Sequence, residues 1–141
     1  MIIAMTNITP PIKGEMPQQL GFITRDNKPV LNFRCVDTQD TLPDLKDVNL
    51  GKSTFVIKLD NDSLISVHPN INLSSIQYGI KDLSIYIEAN LTDDQLNSMK
   101  NHKAIFMRFI TDKYVKYNLF VFTEQNQTDI QQVATCFSSK K

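Results

Sequence analysis

The chain has 141 residues, enough for one domain with a hydrophobic core of its own. Lys and Arg together number 15, and so do Asp and Glu, so the formal net charge is zero. A neutral chain lacks the clustered positive charge that binds nucleic-acid phosphates, and no segment is the basic amphipathic helix that would bind a membrane surface. We therefore expect neither nucleic acid nor a membrane as a partner.

The N-terminal segment lacks both the basic start and the apolar stretch of a signal peptide. We therefore expect no secretion, and Cys35 and Cys136 as reduced thiols. Residues 1–19 contain three prolines among small polar residues, which predicts an extended N-terminal arm outside the core.

Two hairpins are predicted in the first half of the chain. "LGFITR" and "VLNFRCV" alternate apolar and polar residues on either side of the turn sequence "DNKP". After a connection over 41–52, "STFVIKLD" and "SLISVH" repeat the pattern around the corner Asp60-Asn61-Asp62. In the first strand of this hairpin, Phe55, Ile57 and Leu59 share one face.

The later strands differ in their periodicity. "DLSIYIEA" (82–89) alternates, whereas "AIFMRFIT" (104–111) and "YVKYNLFVF" (114–122) are apolar on nearly both faces. Strands of the latter kind lie in the middle of a sheet with cover on each side. About seven short strands at this spacing predict a mainly β fold, an antiparallel two-sheet sandwich.

Two helices are predicted by capping boxes, in which a Thr and a Gln three residues later bond each other's backbone. Thr92 and Gln95 start a short helix inserted between strands, and Thr128 and Gln131 start a C-terminal helix. The predicted organisation is therefore an arm over 1–19, a β-sandwich over 20–125 and a C-terminal helix and tail over 126–141.

The C-terminal helix carries one apolar stripe, formed by Ile130, Val133, Ala134 and Phe137. We take Ile130, Val133 and Phe137 as the candidate interface residues, since a stripe with large side chains must pack on something. Either the stripe pairs with another copy of the chain, or it caps an open end of the sandwich.

The pair Asp60 and Asp62 was considered as a metal loop. An EF-hand loop starting at Asp60 would need an oxygen ligand, a Gly and a Glu where Leu64, Ile65 and Ile71 stand. The stretch is therefore interpreted as a hairpin turn, with a divalent-cation site shared with His68 as the alternative.

No pattern typical of an active site was found. His102 follows the first predicted helix, where a cation complements the helix dipole, and Cys35 lies on an apolar strand face. The sequence contains neither a Gly-x-Ser-x-Gly elbow nor a P-loop. Tyr86, Tyr114 and Tyr117 could stack nucleic-acid bases, but core packing fits Tyr117 better. We expect a protein that is not an enzyme and has no metal or cofactor.

The order of these patterns resembles a known family. The run from "ITRDNKPVLNFRCV" through "TLPDLKDVNLGK" to "STFVIKLDNDSLI" is similar to the N-terminal domain of upper baseplate (tail-fibre-type) proteins of phages of Gram-positive bacteria. "YGIKDLSIYIEANLTDD" and "AIFMRFITDKYVKYNLFVFTEQN" continue the similarity over roughly three quarters of the chain. Here the acidic turn ends in Asp62-Ser63, where the family usually has Gly.

The resemblance implies an immunoglobulin-like sandwich that docks onto a phage tail in symmetric assemblies. Because the chain stops after a short C-terminal helix, it implies an attachment or adaptor subunit of the virion, assembled in the host cytoplasm. The expected partners are other tail or baseplate proteins and further copies of the chain, as a trimer or hexamer.

The alternative function is that of a small cytosolic inhibitor or immunity protein that blocks a toxin or defence enzyme. Asp37, Asp40, Asp44 and Asp47 would supply an acidic patch for a single tight partner, and a solvated loop is the simpler interpretation of the same residues.

Overall fold

The strands of the protein form two antiparallel sheets that share one hydrophobic core. The computed structural model describes residues 2–8, 18–26, 28–38, 49–78, 82–112 and 119–138. In chain order its elements are β1 (Ile2–Ile8), β2 (Gln18–Arg25), β3 (Lys28–Thr38), β4 (Thr54–Leu59), β5 (Leu64–Val67), β6 (Ser75–Tyr78), β7 (Asp82–Asn90), α1 (Asp93–Asn101), β8 (Ala104–Ile110), β9 (Leu119–Val121) and α2 (Glu124–Ser138), with short 3₁₀ turns at Leu50–Lys52 and Ile71–Leu73. The five-stranded sheet has the order β1-β2-β3-β7-β6, and the four-stranded sheet has the order β5-β4-β8-β9.

Aromatic side chains join the two sheets. The ring centroid of Phe33 on β3 lies 5.3 Å from that of Phe55 on β4 and 5.3 Å from that of Phe120 on β9. Phe55 in turn stacks on Phe109 of β8, with centroids 4.7 Å apart. Such pairs add to the free energy gained by burying the rings. The predicted mainly β, two-sheet architecture is confirmed.

Both predicted hairpins form. β2 pairs with β3 across the turn that follows Asp26, which has the positive φ of 53° that Asp tolerates. β4 pairs with β5 across a turn in which Asp62 has a φ of 67°. There the Asn61 Oδ1 accepts hydrogen bonds from the backbone N–H and the hydroxyl of Ser63, at 3.1 and 2.6 Å. The turn interpretation of this corner is confirmed.

The inserted helix α1 begins as predicted. The Gln95 backbone N–H donates to Thr92 Oγ1 at 3.1 Å, and the Thr92 N–H donates to Gln95 Oε1 at 3.0 Å. This reciprocal capping box satisfies two backbone donors that a helix start leaves unpaired. On the helix, Leu96 and Met99 are buried in the core.

The predicted start of the C-terminal helix is wrong. α2 begins at Glu124, so Thr128 and Gln131 lie inside it rather than at its cap. The reciprocal bonds are instead those of Thr123 and Asn126, at 3.0 and 3.1 Å. The helix therefore includes residues that were predicted to belong to the sandwich.

Residues 2–8 of the predicted extended arm belong to the five-stranded sheet. β1 pairs with β2 of the same chain and forms an edge of the five-stranded sheet. Residues 9–17 lie outside the described part. The extended conformation of residues 2–8 agrees with the prediction, and the partner of this strand is β2 of the same chain.

The two strands predicted to be covered on both faces are covered on only one. β8 is an inner strand, whereas β9 is an edge strand, and Ile110 and Val121 are 47% and 53% exposed. The first half of the predicted strand 114–122 falls among residues 113–118, outside the described part. One face of each strand is thus apolar and still open to solvent.

Candidate functional site

The candidate interface stripe on α2 is buried within its own chain. Ile130 and Phe137 are 1% and 7% exposed, and the half-buried Val133 packs against the same core. The Phe137 ring lies 5.8 Å from the ring of Phe22 on β2. Of the two alternatives, the structure therefore has the stripe as a cap on the sandwich core, and these residues are not available to pair with another copy.

The two histidines do not meet at the acidic turn. His102, which caps the C-terminal end of α1, has its Nδ1 3.1 Å from Asp60 Oδ1. His68 instead has its Nδ1 3.1 Å from the hydroxyl oxygen of Thr54. The alternative of a cation site built from Asp60, Asp62 and His68 is therefore not formed. Within the described ranges, no group of three or more His, Cys, Asp or Glu is placed to hold a metal ion.

The solvent side of the four-stranded sheet is the first candidate site. Residues paired across an antiparallel sheet project on the same face, and the cross-strand rows that contain Thr54, Val56 and Lys58 lie opposite the buried Ile57. The apolar members of this set are Val56, Leu64, Phe106, Ile110, Leu119 and Val121, which we call the outer apolar face. Leu64 is 62% exposed, more than Ile110 or Val121.

The charges on this face are positive. Arg108 lies between Val56 and Leu119 in the sheet register and is exposed, with no ion pair to any other described residue. Lys58 extends over the Phe106 ring, its Nζ 5.9 Å from the centroid. Among the described residues Lys58 pairs with Asp62, whose highly exposed carboxylate lies 3.6 Å from Nζ, which makes a weak pair. The outer apolar face therefore carries two cations.

The opposite side of the protein, the outer side of the five-stranded sheet, contains an ion pair between a buried carboxylate and a half-exposed guanidinium. The Glu88 side chain is 2% exposed and accepts hydrogen bonds from Nε and Nη2 of Arg25, both at 2.8 Å. The Tyr86 hydroxyl donates to the same carboxylate at 3.0 Å. The hydrogen bond to Glu88 and the attraction of its charge raise the pKa of Arg25. The charge of the buried Glu88 is thus neutralised by a guanidinium that is itself 44% exposed.

Asn32 completes this polar cluster. It lies directly opposite Glu88 in the β3–β7 register and is 1% exposed. Its side chain hydrogen-bonds to Tyr86, while its Oδ1 has no hydrogen-bond partner among the described residues. Burial, followed by the hydrogen bond to Glu88, raises the pKa of the Tyr86 phenol.

This shift in the pKa of Tyr86 makes the free energy of unfolding depend on pH in the alkaline range. Because the folded-state pKa of Tyr86 is raised, the phenol contributes stability below its unfolded pKa of 10.0 and loses it as pH rises through the folded value. We expect Tyr86→Phe to show a smaller fall in the free energy of unfolding above pH 10.0 than the wild type. Urea denaturation at a series of alkaline pH values measures this, and equal slopes for both proteins would contradict it.

Sequence reasoning missed both of these sites. In the sequence, the outer apolar face corresponds to the second apolar side of the predicted strands 104–111 and 114–122. That side was predicted to be covered by other parts of the protein. No local signal pairs Glu88 with Arg25, because the partners are 63 residues apart. Other sequence-based candidates, Tyr114, Tyr117, Asp40, Asp44 and Asp47, lie outside the described residues, as do the side chains of Cys35 and Asp37.

Comparison of the chain with protein-family models, with curated proteins and with solved structures gave no significant match. Neither described α-helix has both the length and the hydropathy of a bilayer-spanning segment.

Proposed function

We propose that this chain is a non-enzymatic structural subunit of a phage tail or baseplate, an attachment or adaptor protein that acts through protein–protein contacts. The observation that carries the proposal is the outer apolar face. It leaves Leu64, Ile110 and Val121 about half exposed or more on a protein whose core is already closed by α2. Several exposed apolar side chains gathered on one face of a folded domain are typical of an interaction site.

The charges of this face favour a different protein as the partner. Two copies of the chain joined through the face about a two-fold axis would bring like charges, those of Lys58 and Arg108, into one interface. A partner with apolar side chains and carboxylates would instead complement both. We therefore assign the face to another tail or baseplate protein, and the expected trimer or hexamer follows from the symmetry of that partner.

The immunoglobulin-like class is the finer fold that we propose for this subunit. It is supported by two antiparallel sheets packed through Phe33, Phe55 and Phe120, with the helices covering part of the same core. A sandwich of this kind holds its outer faces rigidly, which suits a subunit that positions other proteins.

The location of the protein is tested on phage particles. A tagged copy produced during infection should be incorporated into purified particles, be detected there by mass spectrometry, and be labelled by gold-conjugated antibody at the tail end. Absence from the particles, together with a 1:1 complex with a host or phage enzyme, would contradict the proposal and favour the inhibitor function.

The interface is tested by Val121→Asp. We expect the variant to be folded, because an exposed substitution changes stability by only about 0.5 kcal/mol. Its incorporation into particles should fall about tenfold, because a carboxylate opposes the acidic partner and removes apolar contact area. Asn97→Asp places the same charge at an exposed position of α1 and is the matched control. Equal incorporation of the two variants would exclude the outer apolar face as the docking surface.

A further inference from the structure

A shallow groove of about 370 Å³ lies on the solvent side of the five-stranded sheet, away from the outer apolar face. In the sheet register Arg34, Tyr86 and Ser75 form one row across three strands, and Ser84 and Gln77 form the next. These five side chains line the groove, together with Ile85. Two hydroxyls, an amide, a phenol and a guanidinium are therefore gathered on one surface, and the volume is in the range of small-molecule sites.

The guanidinium of Arg34 lies against the ring of Tyr86. Its Cζ lies over the Tyr86 ring, 5.7 Å from the centroid, which is within the range of cation–π attraction. Tyr86 is itself fixed, because its hydroxyl donates to the buried Glu88 and is hydrogen-bonded by Asn32. A cation fixed before the ligand arrives loses less conformational entropy on binding.

Arg34 is the one charged residue among the described residues that line the groove, and no described residue forms an ion pair with it. The carboxylate closest in the cluster, Glu88, is buried and already paired with Arg25, so it does not neutralise Arg34. An exposed guanidinium with its hydrogen-bond donors available binds a carboxylate in a bidentate manner.

The remaining lining groups define the rest of the ligand. Ser75, Ser84 and Gln77 offer hydroxyl and amide groups that donate and accept hydrogen bonds, which suits alcohol groups. Ile85 and the ring of Tyr86 supply apolar surface beside these polar groups. We propose that the groove binds a small hydroxylated carboxylate, with the carboxylate on Arg34 and the hydroxyls on Ser75, Ser84 and Gln77.

The probe for this site is tartrate, which has two hydroxyls and two carboxylates on four carbons, and erythritol is its uncharged four-carbon counterpart. Titration of the isotopically labelled full chain, followed by amide chemical shifts, should show saturable changes at Arg34, Ser75, Gln77 and Ser84. The expected Kd is on the order of 1 mM, as befits a small ligand in an open groove. Erythritol and sulfate, at matched ionic strength, should produce no saturable change at these positions.

Two arginine variants make the test specific. Arg34→Gln removes the guanidinium and should raise the Kd for tartrate about tenfold or more. Arg108→Gln removes an equally exposed guanidinium from the other sheet and should leave the Kd unchanged. Equal effects of the two substitutions, shifts that do not saturate, or a response to sulfate as strong as that to tartrate would overturn the proposal. The outcome is independent of the phage-tail function.

Discussion

Replacing Phe137 with Asp is expected to unfold the protein. The Phe137 side chain is 7% exposed on the last turns of α2, in contact with the ring of Phe22. Removing a buried Phe side chain costs about 3–5 kcal/mol, and placing a carboxylate in the apolar site adds the cost of its desolvation. A loss of more than about 4 kcal/mol is a large part of the total stability of a domain of this size. Chemical denaturation and circular dichroism measure the loss.

The control for this substitution is Gln132→Asp, which adds the same charge at an exposed position of the same helix. We expect it to cost less than about 1 kcal/mol, mainly through the lower helix propensity of Asp. The result that would contradict the structure is a stable, folded Phe137→Asp monomer obtained from an oligomeric wild type. That outcome would return the stripe of Ile130, Val133 and Phe137 to the role of an interface.

The second large effect is expected at the contact between the two sheets. Phe33 is 2% exposed and touches aromatic rings on two strands of the opposite sheet. Phe33→Ala should therefore lower the free energy of unfolding by about 4 kcal/mol, since it leaves a cavity between the sheets and removes two ring contacts. Equilibrium unfolding in urea gives this value directly.

Phe106→Ala is the matched control because it removes the same side chain from the solvent face of β8. Phe106 is half-buried, and its ring is covered on one side by Lys58. We expect a cost of about 1 kcal/mol, close to the mean for point substitutions. Equal costs at the two positions would mean that Phe33 does not lie between packed sheets, and would contradict the sandwich arrangement.

The elements that were predicted correctly are those that depend on residues close together in the sequence. The Asp60–Asp62 turn follows from the tolerance of Asn and Asp for turn conformations, and the start of α1 follows from Thr92 and Gln95. The start of α2 was misplaced because two Thr residues, Thr123 and Thr128, each have a polar residue three positions later. Hydrophobic periodicity begins only at Ile130, so it could not show that the helix starts earlier.

The partner of an apolar face cannot be predicted from its own sequence. The stripe of Ile130, Val133 and Phe137 shows that α2 packs on something, but the contact with Phe22 depends on the tertiary fold. The second apolar face of β8 and β9 posed the same problem. It was predicted to be covered within the protein, and it is exposed, whereas the stripe on α2 is buried. For the same reason nothing near Glu88 in the sequence indicated that Arg25 would neutralise it.

The contact between Phe22 and Phe137 also affects the order in which the protein can fold. The two residues belong to the second strand and to α2, so the cap of the core is synthesised after the strands of both sheets. Synthesis proceeds at about 5–20 residues per second, whereas a hairpin forms in microseconds, so both sheets are complete in sequence before their apolar interior can be closed. During these seconds the nascent chain is most exposed to aggregation and to chaperones. Loop-closure entropy for such a distant contact further predicts that α2 docks late in refolding.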